Sequence, residues 1–262
     1  IVIWHGLGDH YDSGFIEKCM DLLVLKYPQS SVYSIRMDDD PEKDKQYSLV
    51  GDMNQQVQKA CDLIANISDM TDTYYAIGMS QGGLFLRGVL ERCNTGPQMK
   101  RLLTFGSPHM GISDLPKCDT LLCKARNNLL KKQIWTDWTQ HNVVPAQYFR
   151  DPNQLDLYLN HSHFLADINN ERLIKNSTYK LQFQSLDKLS LVMFDSDQMV
   201  TPKESAWFSE ENMPFNQSVM YTNNWLGLQE LHQQGKIILN SLEGEHMRFT
   251  DTQFLDLVAE AF

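Results

Sequence analysis

Thr73-Tyr74-Tyr75-Ala76-Ile77-Gly78-Met79-Ser80-Gln81-Gly82-Gly83-Leu84-Phe85 is the stretch on which the reading of this chain turns. An apolar run rich in aromatic residues leads into Gly-x-Ser-x-Gly, and Leu84, Phe85, Val89 and Leu90 follow at helical spacing. The bare five-residue pattern arises by chance in roughly one chain in ten of this length, so its context decides. A strand that breaks sharply into a helix forces the intervening serine into a strained conformation, and the side chains around it must be small. Gly78, Gly82 and Gly83 supply that room. The helix N-terminus also turns backbone N–H groups toward the serine, where they can stabilise an oxyanion. Ser80 is therefore the expected nucleophile.

Outward from this turn, short β-type runs alternate with helical patterns, as in a mostly parallel sheet covered on both faces. The expected strands are Ile1–Trp4, Ser31–Ile35, Tyr74–Gly78, Leu102–Phe105, Ser190–Phe194 and Lys236–Leu242. Helical spacing marks Gln55–Ile67, Gly83–Arg92 and Thr252–Phe262. The fold class is α/β, of the α/β-hydrolase type, with residues 1–262 forming one domain. Residues 112–187 break the rhythm with irregular helical patterning and many large apolar side chains, among them Leu121, Leu122, Leu129, Trp135, Trp138 and Tyr148. They read as a largely helical, lipid-binding insertion over the C-terminal strand ends, where ligands bind in open α/β sheets.

A serine hydroxyl needs a base, and in this fold the chain order is Ser, then Asp or Glu, then His. Of the eight histidines, His246 stands just after the last expected strand, on the same rim as Ser80. His232 precedes that strand, His161 and His163 lie in the insertion, and His109 precedes the acid. Asp195 and Asp197 both follow Ser190–Phe194, and the run Asp197-Gln198-Met199-Val200-Thr201-Pro202 has the spacing of an orienting-acid loop. That favours Asp197, which fixes the histidine tautomer and stabilises the imidazolium. The oxyanion donors are expected from the backbones of Leu7, in His5-Gly6-Leu7-Gly8-Asp9, and Gln81. No metal or organic cofactor is required, and no phosphate- or dinucleotide-binding pattern competes.

A formal charge of −10 argues against a nucleic-acid partner. No apolar run is long enough to span a bilayer. Because the chain opens directly in a core strand, upstream residues are expected to have been trimmed. The five cysteines lack the paired spacing of a zinc site, and sequons occur at Asn66, Asn160, Asn176 and Asn216. These features lean toward a lumenal or secreted protein.

Several blocks resemble the palmitoyl-protein thioesterase family: Val2-Ile3-Trp4-His5-Gly6-Leu7-Gly8-Asp9, Gly78–Gly83 with Phe85-Leu86-Arg87, Tyr158-Leu159-Asn160-His161-Ser162 with Phe164–Asn169, and Glu243-Gly244-Glu245-His246. The similarity runs end to end and is closer to the type-one lysosomal enzyme than to its type-two relative. The resemblance implies a helical part inserted after the sixth strand and removal of long-chain fatty acyl groups, such as palmitate, from cysteine thioesters of proteins. It places the catalytic Ser, Asp and His on Ser80, Asp197 and His246. It further implies a lysosomal or secreted glycoprotein carrying sugar at Asn160 and Asn176, with disulfides Cys61–Cys93 and Cys118–Cys123. Where the type-one pattern has adjacent cysteines this chain has His10 and Tyr11, so Cys19 is expected to be free. Two other readings stay open: a lipase or carboxylesterase acting on oxygen esters, and a non-catalytic lipid-binding protein on the same fold.

Overall fold

The structure is a computed structural model that describes residues 1–70, 72–115, 127 and 130–262. Six strands form one sheet in the order β2-β1-β3-β4-β5-β6: β1 Val2–Trp4, β2 Tyr33–Ser34, β3 Thr73–Met79, β4 Gln98–Phe105, β5 Lys188–Phe194 and β6 Ile237–Leu242. Every pairing in it is parallel. Such a sheet must be buried on both faces, and the strands show it in alternate residues. Val2, Trp4, Ala76, Leu102, Leu189 and Leu191 feed one core, while Ile3, Ile77, Leu103, Phe105, Val192 and Phe194 feed the other.

The first core is covered by α3 (Met53–Ala65) and α4 (Gln81–Arg92); Trp4 and Phe85 stack across the strand–helix contact with centroids 4.7 Å apart. The second is covered by α1 (Gly14–Lys26) and the C-terminal helix Asp251–Ala261. That last helix starts on a capping box between Thr250 and Gln253. Among the described residues four α-helices outside the insertion go beyond the helical patterns read from the sequence: α1, α2 (Pro41–Tyr47), Val219–Asn223 and Leu228–Gln233. Apolar residues on α1 wrap most of its circumference, so it shows no clean stripe, and α2 buries Asp44, a residue that patterning assigns to solvent.

Residues 112–187 lie between β4 and β5. The insertion thus falls between the fourth and fifth strands in the numbering used here. Its described part is helical and short-segmented: Asp137–Asn142, Val144–Gln147, Leu155–His161, Leu165–Ile168 and Ser177–Gln184. No helix among the described residues is long and apolar enough to cross a membrane.

Strand order reverses between β1 and β3, because the chain adds β2 on one side of β1 and then all later strands on the other. In open α/β sheets the crevice at the C-terminal ends of such a pair receives the ligand. Here that crevice is flanked by Gly6-Leu7 after β1 and Ser80 after β3.

Candidate active site

Ser80 sits between β3 and α4 at φ 52 and ψ −122, a conformation few non-glycine residues adopt. Its N–H donates to the Phe105 carbonyl at 2.7 Å, tying the turn to β4. A Cβ on Gly82 would run into the Trp4 carbonyl, one on Gly78 into Gly83, and one on Gly83 into Ser107, so the turn closes only with glycine at all three.

His246 lies in the loop between β6 and the last helix, with Nε2 2.8 Å from Ser80 Oγ. Its Nδ1 stands 2.6 Å from Asp197 Oδ2. A carboxylate only accepts, so Nδ1 carries the proton, Nε2 presents a lone pair, and the Ser80 hydroxyl donates to it. Asp197 Oδ1 accepts from the N–H groups of Met199 and Val200 at 2.8 and 2.9 Å. These bonds fix a carboxyl whose side chain is only 2% exposed. Gly106 makes the space for the imidazole: a Cβ there would lie 2.9 Å from His246 Cε1.

Asp195 is turned away and accepts from the Ser241 hydroxyl. His109 is fully buried, binds Thr104 through Nε2 at 3.0 Å, and stacks on Phe208. Burial, aided by the Arg87 charge, holds its imidazole well below the ordinary value and hence neutral. His232 meets Tyr221, and His161 is exposed on a helix of the insertion.

The Leu7 and Gln81 N–H groups make no hydrogen bond among the described residues, and Leu7 lines the cavity over Ser80. The loop carrying Leu7 is fixed from beneath. His5 Nε2 lies 3.0 Å from the fully buried Asp44, whose carboxylate also accepts from the N–H groups of Met37 and Tyr11. Burial works against the charge on Asp44, yet His5 and these N–H donors outweigh it and hold the carboxyl below its ordinary value. Gly8 N–H donates to Ser48 Oγ at 2.8 Å, and the Gln81 amide donates to the Ser48 carbonyl at 3.0 Å and accepts from the Tyr148 hydroxyl at 2.9 Å. His5, Asp44 and Ser48 escaped sequence reasoning. The one available signal was a histidine directly preceding the glycine loop; nothing local marks Asp44 as buried.

A cavity of about 200 Å³ opens over Ser80 and His246. Its walls are mostly apolar: Phe15, Met79, Pro108, Ile112, Tyr148, Met199, Val200 and Met247. Among the described residues that line it, Ile112 and Tyr148 come from the insertion and the others from the body.

Cys61 in α3 is disulfide-bonded to Cys93 at the end of α4, with Cα atoms 5.5 Å apart. Cys118 and Cys123 lie outside the described residues. Cys19 is a free thiol buried in α1, where burial pushes its pKa up to about 12. Asn160 and Asn176 are both exposed; Asn176 caps the helix Ser177–Gln184 through its side-chain oxygen.

A family model described as palmitoyl protein thioesterase matches residues 1–246. The chain is 38% identical over 272 residues to a palmitoyl-protein thioesterase-dolichyl pyrophosphate phosphatase fusion of Schizosaccharomyces pombe, spanning 100% of this chain but only 43% of that protein. It is 36% identical over 261 residues to palmitoyl-protein thioesterase 1 of Caenorhabditis elegans, covering 95% of this chain and 86% of that one. With the lysosomal thioesterase PPT2 homolog of Drosophila melanogaster it shares 30% identity over 169 residues, 62% of this chain and 58% of that one.

Proposed function

Because this chain belongs to the palmitoyl protein thioesterase family, we propose that it removes long-chain fatty acyl groups from cysteine thioesters of S-acylated proteins through an acyl-Ser80 intermediate. The observation that carries the reading is the continuous hydrogen-bond line Ser80–His246–Asp197 at the floor of an apolar cavity.

Ser80 Oγ attacks the thioester carbonyl as its proton passes to His246 Nε2, and Asp197 stabilises the imidazolium that forms. The carbonyl oxygen gains charge between the N–H groups of Leu7 and Gln81, which are already fixed before substrate arrives. The tetrahedral intermediate collapses by breaking the C–S bond. A cysteine thiol has a pKa of about 8.5, so its sulfur leaves with less acid assistance than an alkoxide needs, and the proton held by His246 passes to it, which returns the imidazole to its neutral form. Water then enters, gives a proton to His246, attacks the acyl-Ser80 carbonyl, and the fatty acid departs as the proton returns to Ser80.

The cavity selects for lipid. Each methylene moved from water onto apolar wall contributes about 0.8 kcal/mol, so even six supply several kcal/mol of binding. The volume of about 200 Å³ suits the carbonyl-proximal part of the chain. The partly exposed Phe15 and Met199 extend the apolar surface outward for the remainder. The insertion contributes Ile112 and Tyr148 to the wall of this site. The name of the lysosomal relative supports a lysosomal setting, and the exposed sequons at Asn160 and Asn176 are where sugar would be carried. Turnover of matched palmitoyl thioester and palmitoyl oxygen ester tests the substrate class. A clear preference for sulfur is expected, and a preference for oxygen would make the protein a carboxylesterase instead.

A further inference from the structure

Asp52, His141 and His163 gather outside the Ser80 cavity, with one possible ligand atom from each lying within 4.8 Å of the others. They come from three separate parts of the chain. Asp52 is the N-cap of α3, on the body of the protein. His141 is in the last turn of the insertion helix Asp137–Asn142, and His163 lies in the loop between Leu155–His161 and Leu165–Ile168. His163 Nε2 stands 3.1 Å from Asp52 Oδ2, and the two imidazole rings approach with centroids 3.7 Å apart and a 39° tilt.

We propose that Asp52, His141 and His163 form a binding site for a divalent transition metal of the zinc type, which fastens the insertion to the body. Two imidazoles and a carboxylate are a donor set that suits zinc, and water completes a tetrahedron. His141 Nδ1 is 2.8 Å from the Asp137 carbonyl and donates to it, which leaves Nε2 with a lone pair and no other partner among the described residues. A backbone carbonyl fixing the tautomer in this way is what ligating histidines ordinarily have. The backbone of His163 is held on both sides: its N–H donates to the Gln140 side chain at 3.0 Å, and its carbonyl accepts from Asn54 at 3.2 Å. Asp52 keeps Oδ2 for the site while Oδ1 accepts from the Asn54 N–H at 2.8 Å. All three side chains are partly exposed, so an ion can enter. Tetrahedral zinc at about 2.0–2.1 Å brings its donors roughly 3.3 Å apart, a contraction that side-chain rotation supplies.

The site closes a seam already bridged by backbone. Gly51 N–H donates to the Asn142 carbonyl at 2.9 Å, Val144 N–H to that of Leu49 at 3.1 Å, and Val50 and Val143 form an antiparallel bridge. Ser48, at the end of this seam, is the residue that holds Gly8 and the Gln81 side chain. An ion here therefore stiffens a support of the oxyanion loop without touching the reacting atoms.

The test is calorimetric titration of the full chain with Zn²⁺, and with Mg²⁺ as the hard-cation comparator, alongside thermal denaturation. Expected are one Zn²⁺ per chain, no Mg²⁺ binding, and a Tm rise of about 5 °C or more at a hundredfold excess over Kd. His141→Gln and His163→Gln should each weaken Zn²⁺ binding at least about tenfold, and the double variant should abolish it. Zn²⁺ should also protect both histidines of the unaltered protein from diethylpyrocarbonate, a readout that needs no variant to fold. Absence of stoichiometric binding, undiminished binding by the double variant, or full diethylpyrocarbonate reaction at both histidines in saturating Zn²⁺ overturns the proposal.

Discussion

Around Ser80 the chain is directed by rules that act within a few residues, whereas the described part of the insertion is held to the body by partners far away in sequence. The strained Ser80 backbone, the glycines that let α4 approach β1, and the Asp197 loop that accepts two nearby N–H groups all follow from local sequence. The described part of the insertion has local helix caps, such as Asn176, but its placement on the body comes from elsewhere. It is attached through Arg87 of α4, fully buried, which donates to the His109 carbonyl and to Asn169; Asn169 in turn donates to Glu171. Glu171 also pairs with Arg150 at 3.0 Å and accepts from Tyr158 at 2.8 Å. Arg92, at the end of the same helix, pairs with Asp167 at 2.6 Å. Local motifs thus build the proposed chemistry, and a buried polar network decides where the segment above it sits.

Substitutions in the two regions should differ in what they cost. Ser80→Ala should reduce turnover of a long-chain thioester by about 10⁴-fold or more with little change in Tm. Asp197→Asn should cost on the order of 10³- to 10⁴-fold by stabilising the wrong tautomer, while Asp195→Asn stays within a few-fold. Equal effects at the two aspartates would undo the assignment.

On the insertion side, Arg87→Met leaves the buried His109 carbonyl and Asn169 side chain without their donor and should lower stability by about 2–4 kcal/mol. Denaturant unfolding measures it, and a loss under about 1 kcal/mol would mean that the network does not hold the segment. Burial, offset only in part by Arg87, pushes the Glu91 carboxyl up from 4.5 to about 8. A raised folded pKa means that the folded state keeps a proton which the unfolded state releases. This contribution to stability is complete below about pH 4.5 and is lost as pH rises through about 8. The neutral, buried His109 acts oppositely, its contribution being lost as pH falls below 6.5. In Glu91→Gln the fall in Tm from pH 5 to pH 8 should shrink; an unchanged slope would exclude this carboxyl as its source.

The smallest expected effect lies where the two regions touch. Tyr148→Phe removes a hydroxyl from the Gln81 side chain, worth about 1 kcal/mol, and should lower kcat/KM about fivefold.

The same contrast explains what was legible in the sequence. Five of the six strands were readable nearly in place from their apolar runs, as was the elbow, because a parallel buried strand and a Gly-x-Ser-x-Gly turn are written in consecutive residues. β2 shrinks to Tyr33–Ser34, since only that pair finds register with β1. His246 and Asp197 could be singled out because chain order and strand ends fix where they emerge. Asp44, Arg87 and Glu91 could not, because a charged residue buried against distant partners has the same local pattern as a solvated one. Phe15, Met199 and Met247 could not be read as wall residues for a related reason: they meet there from separate parts of the body.

The acyl-Ser80 intermediate can be caught by rapid-quench mass analysis during turnover of an S-palmitoyl thioester. A palmitoyl adduct is expected on the peptide containing Ser80, formed faster than from a short S-acyl group and absent in Ser80→Ala. Turnover without an adduct, an adduct on another residue, or faster acylation by the short chain would contradict it.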